Sequence, residues 1–86
     1  MYTLKYLKTA LKQLKNLQKD QKLLSKVETI LKNIATDPYS ADYKFERLKH
    51  NLSGFCSKRL DAKNRIVYRV IDNQVVIIIV SILGHY

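Results

Sequence analysis

The apolar residues of this chain change their spacing at Asp37-Pro38, and the change divides the sequence into two halves of different structure. Before this point, leucine and other apolar residues recur every three or four positions, which is the period of an amphipathic helix. A proline also disfavours helical backbone at the residue before it. After this point, β-branched residues gather in short runs between polar turns, as they do in strands. The sequence therefore predicts helices in the front half and strands in the back half.

The front half predicts a short strand and then two helices. Residues 2–6 alternate weakly and fit a first strand, and a helix is expected from about Lys8. Asp20 interrupts the helical pattern and is predicted to cap the second helix, since its carboxylate can accept a hydrogen bond from an N–H of the first turn. The two apolar stripes comprise Leu7, Leu11, Leu14 and Leu17, and then Leu24, Val27, Leu31 and Ile34. We therefore expect an antiparallel helical hairpin with one apolar side.

The back half predicts an antiparallel sheet. Strands are expected at residues 55–60, 65–71 and 75–83, with turns between them, and residues 46–49 could begin a further strand. The run from Val75 to Leu83 suits a central strand that is covered on both faces. The whole chain, 1–86, is thus predicted to be one α+β domain. Its helical hairpin packs on one face of a mainly antiparallel sheet, in the order β-α-α-β-β-β.

Charge and cysteine content restrict the environment and the partners. Sixteen Lys and Arg residues against seven Asp and Glu residues give a net charge of +9. Such a field favours a polyanion, an acidic protein or a membrane surface, without choosing among them. Cys56 is the single cysteine, which excludes a disulfide framework or a zinc cluster of cysteines. No stretch is typical of a signal peptide or long enough to cross a bilayer, so we expect a cytoplasmic protein without a membrane partner.

The residues suited to chemistry lie in the back half and at the end of the chain. Glu46, Arg65 and the terminal His85-Tyr86 supply a carboxylate, a guanidinium, an imidazole and a phenol. Such groups can cleave RNA without a metal: a base deprotonates the ribose 2′-OH, a cation stabilises the phosphorane, and an acid protonates the departing 5′-oxygen. Taken singly, each has an ordinary alternative. Glu46 fits an exposed strand end, Arg65 fits an ion pair with Asp61 or Asp72, and the last residues fit a frayed terminus.

Several spaced motifs carry a resemblance to a known family. They are Glu46-x-Leu48-Lys49-His50-Asn51-Leu52-Ser53-Gly54-Phe55-x-Ser57-x-Arg59, then Arg65-x-Val67-Tyr68, then His85-Tyr86. In this order they resemble the YoeB/Txe branch of the RelE toxin superfamily. The resemblance implies a toxin that cleaves messenger RNA in the ribosomal A site, without cofactor or metal. It also implies that Glu46 is the general base, that Arg65 stabilises the phosphorane, and that His85 and Tyr86 orient the substrate and act on the acid side.

Other basic residues are expected to border the substrate groove, because phosphate contacts supply most of the sequence-independent affinity for RNA. The candidates are Lys49, His50, Lys58, Arg59 and Lys63. Their alternative is an ordinary solvated face. Two positions depart from the family pattern: Cys56 stands where relatives often have an aromatic residue, and Leu83 stands where they often have a basic one. These departures affect the grip on the substrate rather than the class of reaction.

The resemblance and the charge also imply partners. We expect the chain to act on messenger RNA in the A site of the 30S subunit. An acidic, partly disordered antitoxin of the YefM/Axe kind is expected to fold across its groove, and a homodimer is possible. Two other functions stay open: a toxin of the same fold that does not cleave RNA, such as a gyrase inhibitor, and a basic module that only binds RNA or protein.

Overall fold

Two α-helices cover one face of a five-stranded β-sheet in the computed structural model, which describes residues 1–83. The helices are α1 (Lys8–Asn16) and α2 (Gln21–Thr36). The strands are β1 (Thr3–Tyr6), β2 (Glu46–Arg47), β3 (Cys56–Arg59), β4 (Arg65–Ile71) and β5 (Val76–Ser81). The predicted α+β class and the packing of two helices on one face of the sheet are confirmed.

The strands are arranged in the order β1-β5-β4-β3-β2. Strand β1 pairs with β5 in parallel, and every other pair is antiparallel, as a mainly antiparallel sheet requires. The described residues form five strands, whereas the predicted order contains four. The additional strand is β2, which pairs with the start of β3. This strand has only two residues, so it is too short to leave an alternating pattern in the sequence.

Local signals in the sequence set the limits of the helices. Asp20 caps α2 as predicted, since its Oδ1 accepts a hydrogen bond from the Leu23 N–H at 3.1 Å. Helix α2 ends before Asp37, whose backbone is non-helical (φ −150°, ψ 85°) and which precedes Pro38. A 3₁₀ turn, Leu17–Lys19, joins the two helices. Among residues 1–83, no helix combines the length and the apolarity needed to span a membrane.

The side of the sheet that faces the helices carries the hydrophobic core. Each fully buried aliphatic or aromatic side chain there stabilises the fold by about 1.5–3 kcal/mol. The strands contribute Leu4, Tyr6, Cys56, Ile66, Tyr68, Val70, Ile77 and Ile79, and the helices contribute Ala10, Val27, Ile30, Leu31 and Ile34. We call this side the helix face and the opposite side the open face.

Strand β5 lies between β1 and β4, as expected of an interior strand, but the prediction that it is covered on both faces is wrong. Ile77 and Ile79 are fully buried on the helix face. Ile78 and Val80 are partly exposed. The helices lie on one side only, so alternate side chains of an uninterrupted apolar run reach the open face and keep contact with solvent.

A β-bulge interrupts the pairing of β5 near its end. The register pairs Tyr68 with Ile79, and then Val67 with Ser81. Val80 is therefore an extra residue, and a bulge of this kind reverses the alternation of the side chains that follow it. As a result Ile82 is fully buried in the core with Ile79, and Ser81 lies on the open face opposite Val67.

Candidate active site

One row of paired residues crosses the open face from the edge of the sheet to β5. In register, the row comprises Glu46, Ser57, Val67 and Ser81. The three inner residues are buried, whereas Glu46 is exposed at the edge. The carboxylate of Glu46 is thus presented to solvent beside a floor of small side chains.

Arg65 begins β4 on the same face, two residues before Val67. Its Nη1 donates a long hydrogen bond of 3.4 Å to Oγ of Ser57, which is fully buried. Ser57 is also the register partner of Glu46. Two strand spacings and two residues along a strand separate the Cα atoms of Glu46 and Arg65 by roughly 12 Å. Because both side chains extend several ångströms from their Cα atoms, they can flank a single phosphodiester.

Arg59 stands directly opposite Arg65 in the pairing of β3 with β4. Both side chains are partly exposed. Like charges placed directly across two strands are destabilising, and an anion bound between them relieves this repulsion. A pair of guanidinium groups can also make several charge-assisted hydrogen bonds to phosphate oxygens. Arg59 therefore lies where it could contact a phosphate bound near Arg65, and its contact with the substrate stays a prediction.

The remaining exposed cations surround this site without forming part of the row. Lys49 and Glu46 line a common cavity of about 270 Å³ next to β2. His50 is exposed and has a left-handed backbone (φ 58°) in the turn after β2. Lys63 is exposed in the turn that joins β3 to β4, at the end of the sheet where Arg65 lies.

Lys58 does not border a groove, and the prediction for this residue is wrong. Its side chain points to the helix face and is fully buried. The Nζ donates hydrogen bonds to Oδ1 of Asn33 at 2.7 Å, to Oγ of Ser40 at 2.7 Å and to the Ser40 carbonyl at 3.1 Å. Burial lowers the pKa of Lys58, against the attraction of nearby carboxylates. This lysine ties the loop before β2 to the sheet.

Further contacts hold the same loop and so fix the position of β2. The hydroxyl of Tyr68, in the core, donates a hydrogen bond of 2.6 Å to the Pro38 carbonyl. The Arg47 guanidinium stacks on the Tyr39 ring at 4.8 Å and on the Phe45 ring at 5.9 Å. Arg47 and Glu46 are consecutive, so stacking of the arginine on one face directs the carboxylate to the other.

The alternative in which Arg65 pairs with Asp61 or Asp72 is not what the structure shows. Asp61 organises its own turn by accepting hydrogen bonds from the N–H groups of Lys63 and Asn64, each at 2.8 Å. These bonds, that from Lys63 first, hold the pKa of the Asp61 carboxyl below its ordinary value.

Asp72 is engaged in the same way by two phenols at the opposite end of β4. It accepts hydrogen bonds from the Tyr2 hydroxyl at 2.6 Å and from the Tyr39 hydroxyl at 2.7 Å. These bonds, that from Tyr2 first, lower the pKa of Asp72. Burial, together with the bond to Asp72, raises the pKa of Tyr39 to about 12. The guanidinium of Arg65 is thus left facing the open face.

The two predicted site residues at the end of the chain, His85 and Tyr86, lie outside the described residues. The chain approaches them from Ser81, which pairs with Val67. Because β4 and β5 are antiparallel, the chain leaves β5 in the direction of the end of β4 that carries Arg65. Glu46 and Arg65 share the open face, as the pairing of β2, β3 and β4 shows. The segment that leads to residues 84–86 starts at Ser81, in the same row of paired residues as Glu46.

The departure at Cys56 concerns packing rather than contact with a substrate. Cys56 lies on the helix face and is buried within the core. Burial raises the pKa of its thiol, which disfavours the thiolate and argues against a role as nucleophile. Leu83, the other departure, packs partly buried against the same core.

Other parts of the described chain offer less for this chemistry. A cavity of about 540 Å³ lies between β1 and α2, but its lining includes Glu28 and a single cation, Lys32, so it is poorly suited to a phosphate chain. Among residues 1–83, no group of three or more His, Cys, Asp or Glu side chains is placed to hold a metal ion.

The sequence did not predict the contacts of two residues near the candidate site, Ser57 and Gln13. Ser57 was quoted only as part of a motif, and nothing in its residue type indicated that its hydroxyl contacts Arg65. Gln13 lies in the helical half, outside the motifs that carry the resemblance. Its side chain contacts the backbone of residues 82 and 83, and no local signal in the sequence reveals a contact so distant along the chain.

Comparison with known proteins gives consistent results for sequence and for fold. Residues 6–86 match the family model described as YoeB-like toxin of bacterial type II toxin-antitoxin system. The chain is 41% identical over 61 residues to Toxin YoeB of Synechocystis sp.. The aligned region covers 71% of this chain and 69% of that protein.

Solved structures extend the likeness to the full length of the chain. In the heterotetrameric YoeB-YefM toxin-antitoxin complex of Staphylococcus aureus, the similar chain has a TM-score of 0.85 and 32% identity, with 100% and 99% of the two chains covered. The YoeB dimer of the same organism gives a TM-score of 0.85 and 33% identity, with 99% and 98% covered.

Proposed function

Since this chain belongs to the YoeB-like toxins of bacterial type II toxin–antitoxin systems, we propose that it is an endoribonuclease that cleaves messenger RNA in the A site of the ribosome. The observation that carries the proposal is the shared open face, where the carboxylate of Glu46 and two opposed arginines, Arg59 and Arg65, surround buried Ser57. A base and paired cations around one phosphate are what transfer of the phosphoryl group to the neighbouring ribose oxygen requires.

In the proposed reaction, Glu46 takes the proton of the 2′-OH, and the 2′-oxygen attacks the adjacent phosphorus. Arg65, with Arg59 beside it, stabilises the negative charge that builds up on the phosphorane oxygens. The bond to the 5′-oxygen then breaks, and His85 or Tyr86 gives that oxygen a proton. The products are a 2′,3′-cyclic phosphate and a 5′-hydroxyl. The nucleophile belongs to the RNA itself, so the mechanism requires no cofactor and no metal ion.

The proposed partners follow from charge and from relatives. A net charge of +9 and an open face that carries Arg59 and Arg65 suit an acidic antitoxin, and the Staphylococcus aureus relative is found in complex with YefM. We infer a YefM/Axe-like antitoxin for this chain, a homodimer by analogy with the YoeB dimer, and the 30S A site with its messenger RNA as the target. Such a target places the toxin in the cytoplasm. Lys49, His50 and Lys63 are assigned to contacts with the RNA backbone.

The test is to incubate the purified chain with ribosomes translating a defined message and to map the breaks by primer extension. We expect site-specific breaks on the translated message, with 5′-hydroxyl ends on the downstream fragments. A Glu46→Gln protein of equal folded fraction is the matched control. Intact message at a toxin concentration that saturates the ribosome would reject the proposal.

A second experiment separates this function from the two alternatives. Expression of the wild-type chain should arrest growth, and Glu46→Ala, Arg65→Ala or His85→Gln at equal protein level should relieve the arrest. A basic module that only binds predicts that the Glu46 and His85 substitutions leave growth arrest unchanged. A toxin that inhibits gyrase predicts arrest with intact message.

A further inference from the structure

The side chain of Gln13 on α1 makes three hydrogen bonds to the backbone at the end of the sheet. Its Oε1 accepts from the N–H of Ile82 at 2.7 Å and from the N–H of Leu83 at 3.3 Å. Its Nε2 donates to the carbonyl of Leu83 at 3.1 Å. Both ends of the carboxamide are therefore engaged by two consecutive residues.

These contacts begin where the pairing of the sheet ends. Strand β5 ends at Ser81, so Ile82 and Leu83 have left the ladder that it forms with β4. A carboxamide offers the same donor and acceptor as a peptide group. Gln13 thus supplies hydrogen bonds that a neighbouring strand would provide, to the N–H groups of both residues and to the Leu83 carbonyl.

The segment is held from two directions. The Ile82 side chain is fully buried in the core, because the bulge at Val80 directs it to the helix face. Gln13 holds the backbone of Leu83 from α1. Together these contacts fix where the chain is, and which way it points, at its last described residue.

The positions assigned to acid chemistry follow immediately in the sequence. His85 is two residues beyond Leu83, with Gly84 between them. Only two peptide units join Leu83 to His85, so the position of Leu83 limits the space that His85 can reach. A displacement of Leu83 therefore displaces that space by the same amount.

We propose that Gln13 is a positioning residue that holds the end of β5 so that His85 and Tyr86 meet the substrate. The inference rests on the proposed function, since it concerns the same site. Gln13 acts through the backbone of residues 82 and 83 and does not touch the RNA. Misplacement of a reacting group by about 1 Å can reduce a rate by about a hundredfold, so a side chain outside the site can control the rate.

The test compares Gln13→Met with the wild type and with Gln18→Met. Methionine keeps the length of the side chain but removes all three hydrogen bonds, and Gln18 is an exposed glutamine of the same helical region. In single-turnover cleavage of message on saturating ribosomes, well below the melting temperature, we expect Gln13→Met to lose about ten- to a hundredfold in rate. The ribosome concentration that gives half-maximal rate should be unchanged, and Gln18→Met should cleave at the wild-type rate.

A second variant and a direct readout keep the test independent of stability. Gln13→Glu retains the acceptor but loses the donor to the Leu83 carbonyl, so its rate should lie between those of the wild type and Gln13→Met. Amide hydrogen exchange at Ile82 and Leu83 should accelerate at least about tenfold in Gln13→Met, while Val67 and Tyr68 exchange as in the wild type.

The outcomes separate the two proposals. A wild-type chain that leaves ribosome-bound message intact overturns the proposed function and this inference with it. An active wild type with an equally active Gln13→Met variant overturns the inference alone. Faster exchange at Ile82 and Leu83 without a loss of rate also overturns it, because the contact would then hold the chain without positioning the site.

Discussion

The helix face and the open face of the sheet both carry basic residues, but those on the helix face bind within the fold and those on the open face are available to a partner. Strand β3 shows this most directly. Lys58 and Arg59 are consecutive cations of one strand. Lys58 is fully buried on the helix face, and its ammonium group donates three hydrogen bonds to Asn33 and Ser40. Arg59 is partly exposed on the open face, opposite Arg65.

The difference shows that whether a basic residue can bind a partner depends on its hydrogen bonds within the fold, and not on its charge alone. On the helix face the ammonium group of Lys58 donates its three hydrogen bonds to neutral oxygens of the protein, so its bonding capacity is used within the fold. On the open face two guanidinium groups oppose each other and gain by binding an anion. A net charge of +9 predicts an acidic partner, but it does not tell which cations meet that partner.

The largest effect is expected on the open face itself. Glu46→Gln and Arg65→Met should each reduce the rate of message cleavage at least about a hundredfold, because they remove the general base and the main stabiliser of the phosphorane. The free energy of unfolding should stay within about 0.5 kcal/mol of the wild type for Glu46→Gln, whose side chain is exposed. It should fall by no more than about 1 kcal/mol for Arg65→Met, which removes the long hydrogen bond to the buried Ser57 hydroxyl. Primer extension gives the rate and urea unfolding gives the stability. Cleavage at the wild-type rate by either variant would contradict the assignment.

A matched pair on β3 tests the contrast between the two faces. Lys58→Met should lower the free energy of unfolding by about 2 kcal/mol, because it removes three hydrogen bonds from a charged donor to the partly buried residues Asn33 and Ser40. Arg59→Met should change it by less than about 0.5 kcal/mol but slow cleavage at least about tenfold through weaker stabilisation of the phosphate. Urea unfolding and single-turnover cleavage are measured on both proteins. If the two variants gave the reverse pattern, the assignment of faces would be wrong.

A smaller effect is expected from the helical layer alone. Asp20→Ala removes the cap of α2 and should lower the free energy of unfolding by about 1 kcal/mol. Cleavage on saturating ribosomes should be unchanged at a temperature where the variant remains folded, because Asp20 lies outside the open face. Asp20→Asn, which keeps a capping oxygen, is the control and should recover most of the stability. A cleavage defect in a fully folded Asp20→Ala protein would show that the helical layer influences the site.

The smallest effect concerns acid stability. The pKa of Asp72 is lowered by hydrogen bonds from Tyr2 and Tyr39, so the folded state favours its carboxylate. The resulting stability is present above the unfolded pKa of about 3.9 and is lost as pH falls through the lower folded pKa. The difference in unfolding free energy between wild type and Asp72→Asn should therefore be largest near neutral pH and shrink below about pH 4.

Urea unfolding at pH 7, 5, 4 and 3 measures this difference. A protein with both Tyr2→Phe and Tyr39→Phe keeps the carboxylate but removes its donors, and it should lose the same pH-dependent part of the stability. A difference that grows on acidification would contradict the sign.

The sequence predicted the elements of this fold where local chemistry determines them. The change of period at Asp37-Pro38, the cap at Asp20 and the strand from residue 65 to residue 71 all appear in the structure. The order of strands in the sheet, with β1 parallel to β5, was not readable, because it depends on pairings between distant parts of the chain.

The candidate site was predicted in part, and its errors have physical causes. Glu46 and Arg65 lie on one face of the sheet, on strands separated by β3, and their catalytic roles stay a prediction, whereas Lys58 was assigned to the substrate by its charge. Its position in alternation with Cys56 and Leu60 was a signal for burial, and the charge outweighed that signal. The contacts of Ser57 and Gln13 could not be predicted, because single hydrogen bonds between distant residues leave no periodic pattern.

The bulge at Val80 has a consequence for how this protein can change over evolutionary time. Because one extra residue sets which side of the sheet each residue of the chain end faces, the present length of β5 is compatible with its core only while the bulge is kept. Exchanges among valine, isoleucine and leucine there are tolerable, whereas a straightened bulge at the same length would turn Ser81 inward and Ile82 outward. We expect natural variants of this strand either to keep its residue count together with the bulge or to be one residue shorter without it.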